Sequence, residues 1–164
     1  MCQNYNNTIN SLIANAITIT VMESCTGGLV QSMLTDIEGV SAIFKGGFVT
    51  YSNEAKIAAG VPSDIIAKYG VYSAECAEAM ARAAQSHFNS LFAIGVTGST
   101  GNIDPNNPDS VVGEVYYCIL KGNIAYSYHY TTSVDSKSRG DIKQEYADQI
   151  FQSLSTIIEK ERLQ

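Results

Sequence analysis

Apolar residues recur along the chain with two different spacings, and each spacing predicts a type of element. Short apolar runs rich in β-branched residues indicate buried strands at residues 17–22, 46–51 and 91–96. Helical patterns cover residues 4–14, 26–37, 53–59, 62–69, 73–87 and 138–160. Ser73 suits the N-cap position of the fifth helix. Helices and strands therefore alternate through the first part of the chain.

The later part of the chain has a strand–turn–strand pattern. Residues 112–120 and 124–130 predict a hairpin that turns at residues 121–123. Tyr126, Tyr128 and Tyr130 share one face of the second arm. Alternating helices and strands followed by a hairpin predict an α/β fold. We expect one domain over residues 1–164, a three-layer α/β/α sandwich with a mixed central sheet.

Composition and charge narrow the classes of partner. Hydrophobic residues make up 45% of the 164 residues, which is enough for a sizeable core. Charged residues make up only 16%, which favours a homodimer or larger homo-oligomer that covers part of the surface. The formal net charge of -6 argues against nucleic acid or an anionic membrane as the main partner. A small anionic ligand stays possible, because clustered backbone N–H groups bind phosphate even in an acidic protein.

The ends and the cysteines give no sign of export, disulfides or metal. The sequence begins without a basic, apolar leader and has no apolar run of the ~20 residues that a membrane span needs, so we expect a cytoplasmic protein. The cysteines are scattered, at Cys2, Cys25, Cys76 and Cys118. This spacing argues against a zinc site or a disulfide framework. Cys76 and Cys118 are expected to be small buried residues.

Two strands end in small, polar, glycine-rich turns, "ESCTGG" at residues 23–28 and "TGSTG" at residues 97–101. Ligands of open α/β sheets collect at the carboxyl ends of strands, and a helix N-terminus offers unpaired N–H groups. Either turn could therefore hold a phosphate or an oxyanion. Neither matches a Walker A loop, a dinucleotide-binding G-x-G-x-x-G or the G-x-S-x-G elbow of α/β-hydrolases.

The first turn places two possible nucleophiles, Ser24 and Cys25, side by side. A serine needs a base, and His87 and His129 are poor candidates, at a helix end and within a tyrosine-rich strand. Lys56 follows the second strand closely enough to reach the same sheet edge, and it could act as a base if burial lowered its pKa. Since most lysines lie on the surface, the residue pattern also allows a solvated helix lysine.

Five segments together resemble the C-terminal domain of the competence-damage-inducible protein CinA. They are "ESCTGG", "SAIFKGGFVTYSNEAK", "YGVYSAECA", "GVTGSTG" and "VVGEV". The resemblance runs from residue 17 to the last helix and is closest to stand-alone members, the nicotinamide mononucleotide deamidases of the PncC type. It implies hydrolysis of the carboxamide of this phosphorylated pyridine nucleotide to nicotinate mononucleotide and ammonia. It also implies a homo-oligomer with no metal and no organic cofactor.

The resemblance assigns roles residue by residue. Ser24 matches the family's nucleophile, Lys56 its base, and Tyr51 a tyrosine of the site. Arg139 matches an arginine expected to meet the substrate's phosphate. The remaining residues that we predict to bind substrate come from the turns and strand ends: Cys25, Thr26, Gly27, Gly28, Gly46, Gly47, Asn53, Gly98, Ser99 and Thr100. Backbone N–H groups of residues 25–28 are expected to stabilise an oxyanion.

One loop departs from the family pattern. The family commonly reads G-I-A-G-P-x-G-G after the third strand and then K-P-V-G, whereas this chain reads "GSTGN", a longer polar loop and "SVVG". The departure puts the substrate in question more than the type of reaction. Two alternatives therefore stay open. One is a nucleotide-binding or regulatory domain without turnover or with altered specificity. The other is an enzyme that uses Cys25, activated by the neighbouring helix N-terminus.

Overall fold

A five-stranded mixed sheet lies at the centre of the fold, with strand order β2-β1-β3-β4-β5. The computed structural model describes residues 3–162. The strands are β1 (Ile19–Glu23), β2 (Phe48–Val49), β3 (Phe92–Gly98), β4 (Glu114–Lys121) and β5 (Ile124–Thr131). β1 pairs in parallel with β2 and β3, while β3, β4 and β5 pair antiparallel. The predicted α/β fold with a mixed sheet is confirmed.

Helices cover both faces of this sheet. They are α1 (Gln3–Ala14), α2 (Leu29–Thr35), α3 (Asn53–Ala58), α4 (Ser63–Tyr69), α5 (Ala74–Phe88) and α6 (Arg139–Arg162). A short 3₁₀ turn at Val40–Ala42, which we did not predict, follows α2. None of the helices in residues 3–162 is long and apolar enough to cross a membrane.

Alternate residues of the central strands pack into two separate cores. Ile94 and Val115 face the core that α1, α2 and α6 share, whereas Ala93 and Cys118 face α5. This period of two is what a sheet buried on both faces requires. The three predicted layers are therefore present. The tyrosines of β5 share one face, as predicted, and pack against the α6 side of the sheet.

Several element boundaries differ from the prediction for local reasons. α2 begins at Leu29 instead of residue 26, because Gly27 and Gly28 have φ values of 63° and 97° that interrupt the helix. The hairpin turn contains only residues 122 and 123, since Lys121 still pairs with Ile124. β3 extends two residues further than predicted, to Gly98, which carries the sheet up to the second glycine-rich turn.

Candidate active site

Two parallel strands bring the first turn and the lysine segment to the same edge of the sheet. β1 ends at Glu23, so Ser24 is the first residue beyond the strand. Thr50 follows β2, and its N–H donates to the Glu23 carbonyl at 2.8 Å. The Thr50 hydroxyl donates to the same carbonyl at 3.3 Å. The two segments therefore leave the sheet side by side, at the edge where ligands of α/β folds bind.

Lys56 lies beside Ser24 because α3 begins immediately after Thr50 and Tyr51. The side chain of Ser52 caps α3 by accepting the N–H of Ala55 at 3.0 Å. One turn into this helix, Lys56 Nζ donates to Ser24 Oγ at 3.0 Å and to the Thr50 carbonyl at 2.9 Å. Lys56 is 3% exposed and Ser24 is 8% exposed. The alternative of a solvated helix lysine is therefore wrong.

The surroundings of Lys56 favour its uncharged form. Burial lowers the pKa of the Lys56 ammonium, and the neighbouring Cys76, Cys25 and Asp104 oppose that effect. Burial also raises the pKa of the thiols, to about 11 for Cys76 and about 12 for Cys25. Near neutral pH both thiols are protonated and carry no charge that could stabilise an ammonium. An uncharged amine at this position can accept a proton from Ser24.

The same burial argues against Cys25 as the nucleophile. Its side chain packs in the core shared by α1, α2 and α6. We expected a helix N-terminus to lower the pKa of this thiol, and that expectation is wrong. α2 begins only at Leu29, and burial raises the pKa of Cys25 to about 12. Ser24, with Lys56 bonded to it, is the better nucleophile.

Glu23 holds the turn in shape, a role that we did not assign to it. Its fully buried carboxylate accepts the N–H groups of Gly28 at 3.0 Å, Val30 at 3.1 Å and Gln31 at 2.8 Å. The Gln31 amide adds a fourth bond at 3.1 Å. The N–H of Gly27 donates to the Ser24 carbonyl at 2.9 Å. Of the predicted oxyanion donors, only the N–H groups of residues 25 and 26 are outside these bonds.

Ser24 opens into a cleft of about 600 Å³, a volume typical of small-molecule sites. Most of the predicted site residues line it: Ser24, Cys25, Tyr51, Asn53, Gly98, Ser99, Thr100 and Arg139. Thr26, Gly27 and Gly28 form the turn but do not line the cleft. Within residues 3–162, no group of three or more His, Cys, Asp or Glu side chains is arranged to hold a metal ion.

Arg139 and Tyr51 form one wall of the cleft. Arg139 is the first residue of α6, and its guanidinium donates to Asn102 Oδ1 at 2.8 Å and to the Tyr51 hydroxyl at 3.1 Å. A guanidinium held at the mouth of a cleft suits a phosphate. In the described part of the chain, no hydrogen bond joins Tyr51 to Ser24 or Lys56. Tyr51 therefore lies in a binding position, and its participation in proton transfer stays a prediction.

Gly46 and Gly47 lie away from the cleft, at the start of β2. A Cβ on Gly47 would come within 2.3 Å of the Val21 carbonyl oxygen, and one on Gly46 within 2.8 Å of the Phe88 ring. Gly46 also has a φ of 145°, where side chains other than hydrogen are rare. The structure gives this glycine pair a packing role instead of the predicted contact with substrate.

The polar loop after β3 contributes side chains to the cleft that the sequence did not single out. Asn107 exchanges hydrogen bonds with Asn53, at 3.0 Å and 3.2 Å, and Asp104 accepts the Tyr72 hydroxyl at 2.8 Å. The available signal was the run of Asn, Asp and Pro in "NIDPNNPDS", which predicts a loop without saying where it folds. His87 and His129 do not line the cleft.

Comparisons with known proteins agree with this geometry. The family model of the CinA C-terminal domain matches residues 3–158. A protein of Mycoplasma pneumoniae described as "Protein MG115 homolog" is 33% identical over 152 residues, which cover 90% of this chain and 92% of the relative. A "CinA-like protein" of Fervidobacterium nodosum is 50% identical over 91 residues, 55% of this chain and 22% of the relative.

Solved structures with this fold carry related names. A competence-damaged protein (CinA) superfamily protein from Klebsiella pneumoniae has a TM-score of 0.84 at 20% identity, covering 94% of both chains. A competence/damage inducible protein from Agrobacterium tumefaciens has a TM-score of 0.73 at 28% identity, again covering 94% of both chains. The matched regions cover only 22–29% of the length of the first CinA-like relatives.

Proposed function

This chain belongs to the CinA C-terminal domain family, and we propose that it hydrolyses the carboxamide of nicotinamide mononucleotide. The products are nicotinate mononucleotide and ammonia. One observation supports the proposal most strongly, the buried hydrogen bond of 3.0 Å between Lys56 Nζ and Ser24 Oγ. It places a general base next to a nucleophile at the floor of a cleft large enough for a mononucleotide.

The reaction proceeds through an acyl-enzyme. Ser24 Oγ attacks the amide carbon while its proton passes to the uncharged amine of Lys56. Backbone N–H groups of residues 25 and 26 donate to the oxyanion, an interaction typically worth about 3 kcal/mol per donor. The C–N bond then breaks as the Lys56 ammonium returns the proton to the leaving nitrogen, and ammonia departs.

Water completes the cycle by the same proton transfers in reverse. It attacks the ester carbon, gives its proton to Lys56, and the bond between the acyl group and Ser24 breaks as Ser24 recovers a proton. Arg139 binds the substrate phosphate and so fixes the position of the amide above Ser24. This phosphate contact is part of the proposal, and its support is the position of Arg139 in the cleft wall.

Ammonia release from nicotinamide mononucleotide tests the proposal. Ser24→Ala is expected to reduce turnover to background, because the nucleophile is lost. Lys56→Met is expected to lower kcat by about 10²–10⁴-fold, the usual contribution of general acid–base catalysis. Lys68→Met, at an exposed position of α4, is the matched control and keeps wild-type turnover. Wild-type turnover in the Ser24 or Lys56 variant would disprove the assignment.

A second function, nucleotide binding without turnover, is favoured by the rebuilt loop. Asp104 and Glu54 place two carboxylates in a cleft whose exposed cation is Arg139. Calorimetry distinguishes the two functions: binding of the mononucleotide without any ammonia release would select this alternative.

A further inference from the structure

The loop after β3 is fixed across the cleft by bonds to elements on both sides. The Asp104 N–H donates to Ser110 Oγ at 2.9 Å, which closes the loop on itself. Asn107 is joined to Asn53 of α3, three residues before Lys56, and the Tyr72 hydroxyl donates to Asp104 Oδ2 at 2.8 Å. These bonds position the Asp104 carboxylate in the wall of the same cleft that Ser24 lines.

Asp104 carries a stable negative charge in this position. Hydrogen bonds lower the pKa of its carboxyl group; the largest contribution comes from Asn107 Nδ2 at 2.7 Å, followed by the Asn106 N–H at 2.9 Å. Burial and the bond to Asp104 raise the pKa of Tyr72, which therefore stays a neutral donor. The carboxylate also acts on Lys56, where its charge raises the pKa against the effect of burial.

The charges in the cleft are divided between two walls. Arg139 provides a cation beside Tyr51 and Asn102, while Asp104 and Glu54 provide anions. Lys56 lies below Ser24 and is 3% exposed. A ligand that carries only negative charge would be repelled at Asp104. A ligand with a phosphate at one end and a positive ring at the other would meet an opposite charge at both.

We infer that Asp104 makes the cleft select amides whose ring carries a positive charge. This inference rests on the proposed function, in which the reacting carboxamide is attached to a pyridinium ring. The carboxylate would lie next to the ring cation while Arg139 binds the phosphate. Asp104 thereby acts as a specificity-determining residue that belongs to the loop in which this chain departs from its family.

Binding of two ligands that differ mainly in ring charge tests the inference. Nicotinamide mononucleotide has a pyridinium ring, and its 1,4-dihydro form has a neutral ring with the same amide, ribose and phosphate. Kd values are measured by calorimetry on the Ser24→Ala protein, so that no turnover interferes. The charged ring is expected to bind on the order of tenfold more tightly, as for a charge pair partly open to water. Asp104→Asn should remove this preference by weakening only the charged ligand.

Asp109→Asn is the matched control, because it removes the same charge from the same loop at an exposed residue that does not line the cleft. It is expected to keep the preference. Unchanged affinity for the dihydro form shows that the Asp104 variant is folded. The inference is overturned if Ser24→Ala protein binds both forms equally, if Asp104→Asn weakens both equally, or if the preference survives that substitution. The proposed function fails separately, on absence of ammonia release by the wild type.

Discussion

Lys56 has exchanged water for two protein oxygens, and this exchange determines what its amine can do. An uncharged amine has two N–H groups and one lone pair. The Thr50 carbonyl, 2.9 Å away, accepts one N–H, so the lone pair is free to face Ser24 Oγ at 3.0 Å. A charged amine would have no lone pair to accept the serine proton. The burial that lowers the pKa of Lys56 and the carbonyl that orients it therefore act together.

At the adjacent residue, Cys25→Ala should leave catalysis nearly intact. The thiol is protonated at neutral pH, because burial raises its pKa to about 12, and its role is packing. We expect ammonia release within a few-fold of wild type, with a loss of stability of about 1 kcal/mol for the truncated side chain. Parallel assays of kcat and of urea unfolding check this. A drop in kcat to the level of Ser24→Ala would instead identify Cys25 as the nucleophile.

Among the elements, the connection from β1 to α2 depends on a single buried carboxylate. Glu23 accepts three backbone N–H groups near the start of α2, where an anion is favoured. Glu23→Gln replaces one acceptor oxygen by a donor that faces these N–H groups. We expect a loss of about 1–3 kcal/mol in the free energy of unfolding, measured with urea. We also expect kcat to fall, because Ser24 immediately follows this residue.

Glu38→Gln provides the comparison, since Glu38 is exposed and follows α2. Surface substitutions of this kind usually change stability by less than about 0.5 kcal/mol. Equal unfolding free energies for the Glu23 and Glu38 variants would contradict the role that we assign to Glu23.

The elements were predictable wherever one face or one run is clearly apolar. The strand at residues 91–96, the Ser73 cap and the hairpin follow from such patterns, and the structure confirms all three. The start of α2 was not predictable in the same way, because it depends on positive φ values at Gly27 and Gly28 and on the distant Gln31 and Glu23 contacts. The roles of Gly46 and Gly47 depend on packing against Phe88 and Val21, which no local pattern encodes.

At the scale of the whole molecule, the cleft is built from segments far apart in the sequence. Ser24, Tyr51, Tyr72, Asp104 and Arg139 follow or precede five different elements and meet only in the folded chain. The resemblance to a family identified the segments that match its motifs. It could not place Asp104 or Tyr72, because their contact joins residues 32 positions apart through a loop that departs from those motifs.

The whole molecule also separates its charge from its ligand site. The chain has a formal net charge of -6, yet Arg139 lies in the wall of the cleft between Tyr51 and Asn102. An acidic protein can therefore bind a phosphate locally while repelling polyanions at long range. This division fits a small zwitterionic substrate better than a nucleic acid.

The charge of Lys56 in the folded protein tests the central claim most directly. An NMR titration of the protein with ¹³C-labelled lysine, assigned with Lys56→Met, reports the pKa of this amine. We predict a value below the ordinary 10.5. Because only the uncharged amine is a base, ammonia release should rise as pH increases through that same value and be lost as pH falls below it. A Lys56 signal that titrates together with the exposed lysines would contradict the account.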